Sequence, residues 1–473
     1  MKDLFVDRRG EVDYPCYFLS QLNSKATMSI LNVFRPAPLV GEIQDPDLIK
    51  KKYKYWRFRT FYAMWAGYAF FYFTRKSFTF AMPLMQMELG LSKFELGLLG
   101  SILSITYGAS KFLSGMLGDR SNPRYFMSIG LILTGMFNIL FGMSSFFWAF
   151  AIFWGLNGFF QGWGWPGCAK LLTHWYSHSE RGRWWSLWNT SHNIGGSLIP
   201  LIVAACAGYY GWRFAMYLPG IICIFAGFFV MNRLRDTPQS LGLPPIEKYR
   251  DDYASPKERI EKDRLSTKEL LFEYVLKNKY MWILAAAYFL IYVIRTAIND
   301  WSMVYLIEMK HYTMGEAGWC LFWFEWGGLV GSLAAGWASD RIFNGRRNPV
   351  NILFTLAILC LLFAFKMWVH SSLLIDSVFI FLFGFFIFGP QMLIGMAAAE
   401  LSHKKATATA TGFVGCFAYL GAAAAGGPLG AITQEWGWDV YILTLCTCGA
   451  LAVLVMLPLW QVKTNPKDVA AAT

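Results

Sequence analysis

Two arginines sit in sequence that should exclude them. Arg75 lies within the apolar run 58–82, and Arg295 within the run 280–305. A charge in the hydrocarbon interior costs at least ~2.5–3.5 kcal/mol on insertion scales, so its retention implies a use. Few other ionisable residues share this setting. They are Lys76, Lys111 in 96–117, Asp300, Glu325 in 318–338 and His192 in 184–207. A guanidinium offers a planar fork of donors that suits phosphate oxygens. Two of them match the roughly double charge of a phosphate monoester near neutral pH. Lys111 adds a third positive group, and His192 can change its charge near pH 7. Tyr68 and Tyr72 precede Arg75 at helical spacing, as Tyr107 precedes Lys111. Those hydroxyls would lie on the same stripes as the cations.

The competing reading is internal ion pairing. Asp300 follows Arg295 by five residues, and Glu325 lies in the same half. Either acid would then neutralise Arg295 or Lys111 without substrate. Lys76 is turned about 100° from Arg75 on a helix and is expected to face elsewhere. His192 also fits a satisfied core histidine, and most of the 23 tyrosines are expected to pack.

The elements that position these residues follow from composition. Apolar types make up 56% of the 473 residues and charged types 15%, against about 25% in soluble chains. That excludes a disordered chain, a disulfide scaffold and most soluble enzymes, and it indicates a polytopic membrane protein. Twelve runs of spanning length are expected at 58–82, 96–117, 124–144, 147–169, 184–207, 213–232, 280–305, 318–338, 350–369, 375–399, 407–432 and 437–461. Residues 1–57 form an N-terminal segment, 58–232 and 280–462 two six-helix halves, 233–279 a linker, and 463–473 a tail.

Charge sets the orientation. Of the 42 Lys and Arg, 34 lie in the N-terminal region, the linker, the tail and the loops on the same side. By the positive-inside rule both termini and the linker are cytoplasmic. The same distribution argues against nucleic-acid binding, which needs basic patches beside few apolar runs. The nine cysteines include no CxxC pair. His174 and His178 have metal-like spacing but no third ligand nearby, so neither a metal nor a cofactor is expected.

The halves repeat. Tyr72-Phe73-Thr74-Arg75 answers Tyr292-Val293-Ile294-Arg295, and Gly158-Phe159-Phe160 answers Gly384-Phe385-Phe386. Gly118-Asp119-Arg120 answers Ser339-Asp340-Arg341, and Gly211-Trp212-Arg213 answers Gly437-Trp438-Asp439. Four matches in one order imply an all-α protein of two pseudo-symmetric halves, with substrate bound between them at the midplane. Asp119, Arg120, Asp340 and Arg341 read as latches that pair with neighbouring helix ends in one conformation. No Walker loop, GxSxG, paired carboxylates or metal cluster occurs among the intramembrane polar residues, which disfavours an enzyme acting on lipid-linked phosphates.

From about residue 50 onward the chain resembles the organophosphate:phosphate antiporter branch of the major facilitator superfamily. The resemblance rests on Gly67-Tyr68, Tyr72-Phe-Thr-Arg75-Lys76, Tyr107-Gly-Ala-Ser-Lys111, Gly118-Asp119-Arg120-Ser121-Asn122-Pro123-Arg124, Trp188-Asn189-Thr-Ser-His192-Asn193 and Phe388-Gly389-Pro390-Gln391-Met392-Leu393-Ile394-Gly395. Within the branch it is most similar to bacterial hexose-phosphate transporters and sensors. Gln161-Gly-Trp-Gly-Trp-Pro166 also resembles the eukaryotic glucose-6-phosphate translocase.

The resemblance implies a twelve-helix facilitator in the bacterial inner membrane that exchanges hexose phosphate for inorganic phosphate by alternating access. It implies phosphate binding by Arg75 and Arg295, supported by Lys111, His192, Tyr68, Tyr72, Tyr107 and Tyr419. Phe388 stands where glycerol-phosphate members carry tyrosine. Thr411 and Val414 stand where hexose-phosphate transporters carry an acid and a lysine, a pattern closer to the sensor. The alternative is therefore a receptor for external hexose phosphate signalling through a membrane histidine kinase. Expected partners are sugar phosphate, inorganic phosphate and lipid, and the chain is expected to act as a monomer.

Overall fold

The computed structural model describes residues 34–119, 121–252, 271–368, 370–402 and 406–462. Among the described residues the structure is helical and holds no strand. The long helices are α1 (Pro46–Leu89), α2 (Lys93–Asp119), α3 (Pro123–Met143), α4 (Phe147–Gln161), α5 (Gly164–Trp175), α6 (His178–Tyr210) and α7 (Trp212–Arg233). After the linker come α8 (Lys279–Lys310), α9 (Met314–Arg341), α10 (Arg347–Met367), α11 (Leu373–Glu400), α12 (Thr407–Ala424) and α13 (Gly427–Met456).

Local chemistry starts and stops them. The Asp45 carboxylate caps α1 by accepting from the N–H groups of Asp47 and Leu48, with Pro46 at the first position, where its missing N–H costs nothing. Gly90, at φ 66°, ends α1 in the left-handed conformation that glycine adopts freely. Asn122 caps α3 and Asn278 caps α8. Thr313 and Glu316 form a reciprocal capping box on α9.

Among the described residues, seven helical stretches are long and apolar enough to cross a membrane; the last, Thr409–Leu459, runs across two of the expected spans. The exposed apolar surface fits that setting. Trp148, Leu374 and Phe225 are each at least 70% exposed, which in water would be a liability and in lipid is the favoured state.

Two expected spans are broken. The run 147–169 divides into α4 and α5 at Gly162-Trp163. The run 407–432 divides at Ala425-Gly426, and Gly437, at φ 77°, breaks α13 internally. Both breaks leave backbone groups without helical partners, and serines of α2 answer them. Ser110 donates to the Phe159 carbonyl, and Ser114 donates to the Gly162 carbonyl at 2.8 Å. Ser101 donates to the Ala423 carbonyl and accepts from the Gly427 N–H at 2.8 Å, while Trp301 Nε1 donates to the Ala425 carbonyl at 2.9 Å. Uniform apolarity hid the breaks, because hydropathy does not register which backbone groups a neighbouring helix can satisfy.

Within the first group of helices α3 packs on α7, α1 on α6 and α7, and α2 on α4. Within the second, α9 packs on α11, α8 on α12 and α13, and α10 on α11. The groups meet through α6 with α9, α2 with α12 and α13, and α1 with α8. The start of the linker is not a loose tether. Val40 N–H donates to Gln239 O, Ile43 N–H to Gly242 O, and Ala37 N–H to the Asp236 carboxylate. Tyr53 stacks on Tyr249 at 4.0 Å. The start of the linker is thus bound to the segment before α1 and to the first turns of α1.

Candidate functional site

Between the two groups of helices lies a cavity of about 240 Å³. Its lining includes Tyr68, Tyr72, Arg75 and Lys76 of α1, Tyr107 and Lys111 of α2, His192 of α6, Arg295 and Asp300 of α8, and Tyr419 of α12. Helical periodicity accounts for much of this convergence. Tyr68, Tyr72 and Arg75 recur at intervals of four and three residues and share one face of α1. Tyr419 comes from the other group, admitted by Gly108. A Cβ there would stand 3.0 Å from the Tyr419 Cβ, so glycine is what lets α12 approach.

The arginines rest on aromatic faces in matching ways. The Arg75 guanidinium lies 4.6 Å from the Tyr72 ring centre and 4.3 Å from that of Tyr107. The Arg295 guanidinium lies 5.3 Å from Tyr292 and 5.4 Å from Phe388. In both repeats the aromatic residue three positions before the arginine supports it. Ring faces attract the cation without occupying its N–H groups. Arg75 Nε and Nη2 and Arg295 Nε are buried without hydrogen-bond partners. Lys111 Nζ lies 5.4 Å from the Tyr419 ring and 5.7 Å from that of Trp165. Tyr107 and Tyr419 meet at 4.9 Å, and His192 stacks parallel to Phe388 at 6.3 Å. Tyr68 packs on Trp188 at 4.7 Å.

The acids do not serve the arginines. Glu325 pairs with Lys76 at 3.6 Å and accepts from Asn193 Nδ2 at 3.4 Å. Asp300 accepts from Asn299, whose own side-chain oxygen accepts from Lys76 Nζ. Among the described residues no carboxylate lies within 4.0 Å of Arg75, Arg295 or Lys111. The competing reading, in which Asp300 or Glu325 neutralises Arg295 or Lys111, is thus not the arrangement found; Lys76, expected to face elsewhere than Arg75, meets an acid on another helix and also lines the cavity. Lys76 is 9% exposed and Glu325 2%, so this pair bridges the two groups of helices in a dry setting. Spacing on one chain does not show a partner on the other group.

The latch expectation is altered. Asp340 contacts Arg347, and Arg347 Nη2 binds Glu400 at 3.0 Å, joining α9, α10 and α11 at one end. Arg341 is exposed. In the first repeat Asp119 ends α2, and Arg120 lies outside the described residues. Arg347 and Glu400 were missed because each falls just outside the expected spans 350–369 and 375–399, where charge is unremarkable, although they begin α10 and end α11.

At the end of the bundle away from the linker, the two groups are stitched together. Lys93 pairs with Glu308 at 2.7 Å, and Gln86 and Trp438 also donate to Glu308, at 3.0 and 2.8 Å. The Phe94 N–H donates to Gln434 at 3.2 Å. There the backbones of Gly97 and Gly426 approach so closely that a Cβ on either would strike the other. Several cavity residues were not singled out as site residues in advance, among them Gln161, Trp165, Asn189, Tyr292, Asn299 and Gln391. Tyr292 carried a signal, its place before Arg295 repeating that of Tyr72 before Arg75. Gln161, Asn189 and Gln391 stood inside stretches that carry the family resemblance, but nothing in their type or spacing marked them as site residues.

A helical bundle in two packed groups, with unpaired buried cations facing a central cavity, is the arrangement of a membrane carrier for anions. The comparisons agree on the class. The Major Facilitator Superfamily matches residues 64–426 and 309–473, so the chain belongs to that superfamily. Its relatives place it in the organophosphate:phosphate antiporter branch. It is 56% identical over 445 residues to the probable hexose phosphate transport protein of Chlamydia trachomatis serovar D, covering 91% of this chain and 96% of that one. It is 48% identical over 428 residues to the membrane sensor protein UhpC of Escherichia coli K12, covering 90% and 97%. It is 40% identical over 438 residues to the glycerol-3-phosphate transporter of Bacillus subtilis, covering 91% and 98%. Among solved structures, a bacterial homologue of the lysosomal transporter Spinster, inward-facing and unoccupied, superposes with TM-score 0.64 at 14% identity, covering 85% of this chain and 95% of that one. That likeness concerns the fold. The membership makes the chain a multi-pass membrane protein of transporter fold rather than an enzyme.

Proposed function

We propose that the chain is a secondary transporter exchanging a hexose phosphate for inorganic phosphate across the bacterial inner membrane. The observation that carries this reading is the pair of buried guanidiniums. Arg75 and Arg295 come from opposite groups of helices, hold unpartnered N–H donors beside one cavity and, among the described residues, have no carboxylate partner within 4.0 Å. A dianionic phosphate would accept from both, with Lys111, His192, Tyr68, Tyr72, Tyr107 and Tyr419 around it. Aromatic support fixes the forks before substrate arrives, so little ordering cost remains to be met on binding. Relatives named for hexose phosphate and glycerol 3-phosphate support the substrate class.

Exchange follows from the charge balance. With the anion bound, the two halves can close on a nearly neutral centre. Empty, the same closure brings unpaired cations together in a low-dielectric space, where like charges repel strongly. The carrier therefore returns loaded. Twelve membrane spans in two halves, 58–232 and 280–462, rock about this centre, with 1–57, 233–279 and 463–473 on the cytoplasmic side. In that orientation the stitched end faces outward and Asp119, Arg120, Asp340 and Arg341 sit at the inner ends. The protein acts as a monomer in lipid.

The second reading is a receptor for external hexose phosphate that signals through a membrane histidine kinase. It is favoured by Thr411 and Val414, which leave α12 without charge at those positions, and by the similarity to a membrane sensor. The test is uptake of labelled glucose 6-phosphate by purified protein in phosphate-loaded liposomes. Uptake accelerated by internal phosphate supports the carrier. Binding without counterflow overturns it in favour of the receptor.

A further inference from the structure

A chain of side-chain amides runs through the first group of helices and ends at the cavity. Asn138 of α3 donates from Nδ2 to the Met216 carbonyl at 2.7 Å, which settles its donor end. Its Oδ1 therefore accepts, from Asn157 Nδ2 at 3.2 Å and from the Ser77 hydroxyl at 3.1 Å. Asn157 Nδ2 also reaches the Thr74 carbonyl at 3.4 Å, so Asn157 Oδ1 faces Gln161 and accepts from its Nε2 at 3.2 Å. Gln161 Nε2 donates as well to Thr74 Oγ1 at 2.8 Å. Each amide sets the direction of the next, and such chains polarise cooperatively.

The one valence the relay leaves open is Gln161 Oε1. It is buried without a hydrogen-bond partner, in a residue 1% exposed that lines the cavity. A buried acceptor left unmade costs about 1–3 kcal/mol, so a donor that arrives with a ligand is rewarded. Gln391 supplies a second buried, unpartnered Oε1 from the other group of helices. The arginines present donors only, suited to phosphate oxygens. These two glutamines present acceptors, suited to hydroxyl groups. The relay binds Thr74, the neighbour of Arg75, so the acceptor is tied to the helix turn that carries a phosphate-binding arginine.

We propose that Gln161, with Gln391 opposite, determines specificity for the hydroxyl-bearing part of an organophosphate. The inference rests on the sugar-phosphate reading above. Gln161 Oε1 accepts a hydrogen bond from a ring hydroxyl whose phosphate is held by Arg75 and Arg295.

The test measures inhibition of phosphate–phosphate exchange in proteoliposomes by glucose 6-phosphate and by its deoxy and deoxyfluoro analogues at each ring position. Fluorine accepts weakly but cannot donate. At the position read by Gln161, the deoxy and deoxyfluoro analogues should both compete about tenfold less well, the worth of one buried hydrogen bond. Gln161→Met should weaken glucose 6-phosphate about tenfold more than it weakens phosphate, and should abolish discrimination against that deoxy analogue. Gln391→Met should show the same bias. Fluorine tolerated wherever hydrogen is not would overturn the proposal, because the protein group would then be a donor. An equal loss for phosphate and glucose 6-phosphate in the variants would also overturn it. Should Gln161→Met fail to fold, the analogue series on the wild-type protein decides alone. If the wild-type protein exchanges no phosphate at all, the reading beneath the proposal fails, which is a separate outcome.

Discussion

Arg75 and Arg295 hold the same relation to their surroundings: an aromatic ring three residues earlier, a second ring from another helix, and N–H groups left open. Lysine keeps the charge but loses the fork, and a charge-assisted hydrogen bond is worth about 1.5–3 kcal/mol. Arg75→Lys and Arg295→Lys are each expected to lower phosphate affinity by roughly 10- to 100-fold, read by exchange in liposomes. Near wild-type rates in both variants would show that phosphate is bound elsewhere. Lys76 and Glu325 pose a different case, because they answer each other. Breaking a buried pair strands one charge at a cost of about 3–5 kcal/mol, whereas replacing both with apolar residues is often neutral. Glu325→Leu should lower the melting temperature in detergent, and adding Lys76→Met should restore most of it. A double variant no more stable than the single would mean that the two residues are not coupled.

At the scale of elements, the broken helices depend on α2. Ser101 serves both sides of the break between α12 and α13. Ser101→Ala leaves the buried Gly427 N–H unsatisfied, at about 1–3 kcal/mol, while the Ala423 carbonyl keeps the Gly426 N–H at 3.1 Å. The variant should unfold at lower temperature, and Ser101→Thr should recover part of the loss. A Ser101→Ala protein as stable as wild type would show that water fills the break. The start of α9 supplies a pH dependence. Hydrogen bonds from the Thr313 N–H at 2.9 Å and its hydroxyl at 2.8 Å hold the Glu316 carboxyl below the usual carboxylate range. A depressed folded pKa gives stability that is full above the unfolded value of about 4.3 and is lost as pH falls through the folded one. The stability gap between wild type and Glu316→Gln should therefore be constant near neutrality and shrink below about pH 4. A gap that widens on acidification would reverse the sign of the argument.

For the whole molecule, two of the polar links between the two groups of helices, Lys93 with Glu308 and Phe94 with Gln434, lie at the end away from the linker. In the proposed orientation that end faces outward and is shut. Two single-cysteine variants separate the sides, since Lys248 and Gly315 are both exposed. An impermeant maleimide applied to intact cells should label Gly315→Cys and spare Lys248→Cys. The opposite pattern would invert the topology drawn from the 34 clustered basic residues.

What the sequence determined by itself was whatever one segment can encode. Apolar length marked the helices, because lipid demands about 20 apolar residues per crossing. The paired Tyr-x-x-Arg motifs marked the anion site, because intramembrane charge is too costly to keep without use. What only the tertiary structure decided were relations between segments. Lys76 found its acid on α9, across the boundary between the two groups. Ser101 and Ser110 met helix breaks in α12 and α4. Gln161 acquired the direction of its amide from Asn138 and Asn157. A hydrogen bond or ion pair is a property of two groups at a set distance, and a linear sequence states the groups without the distance.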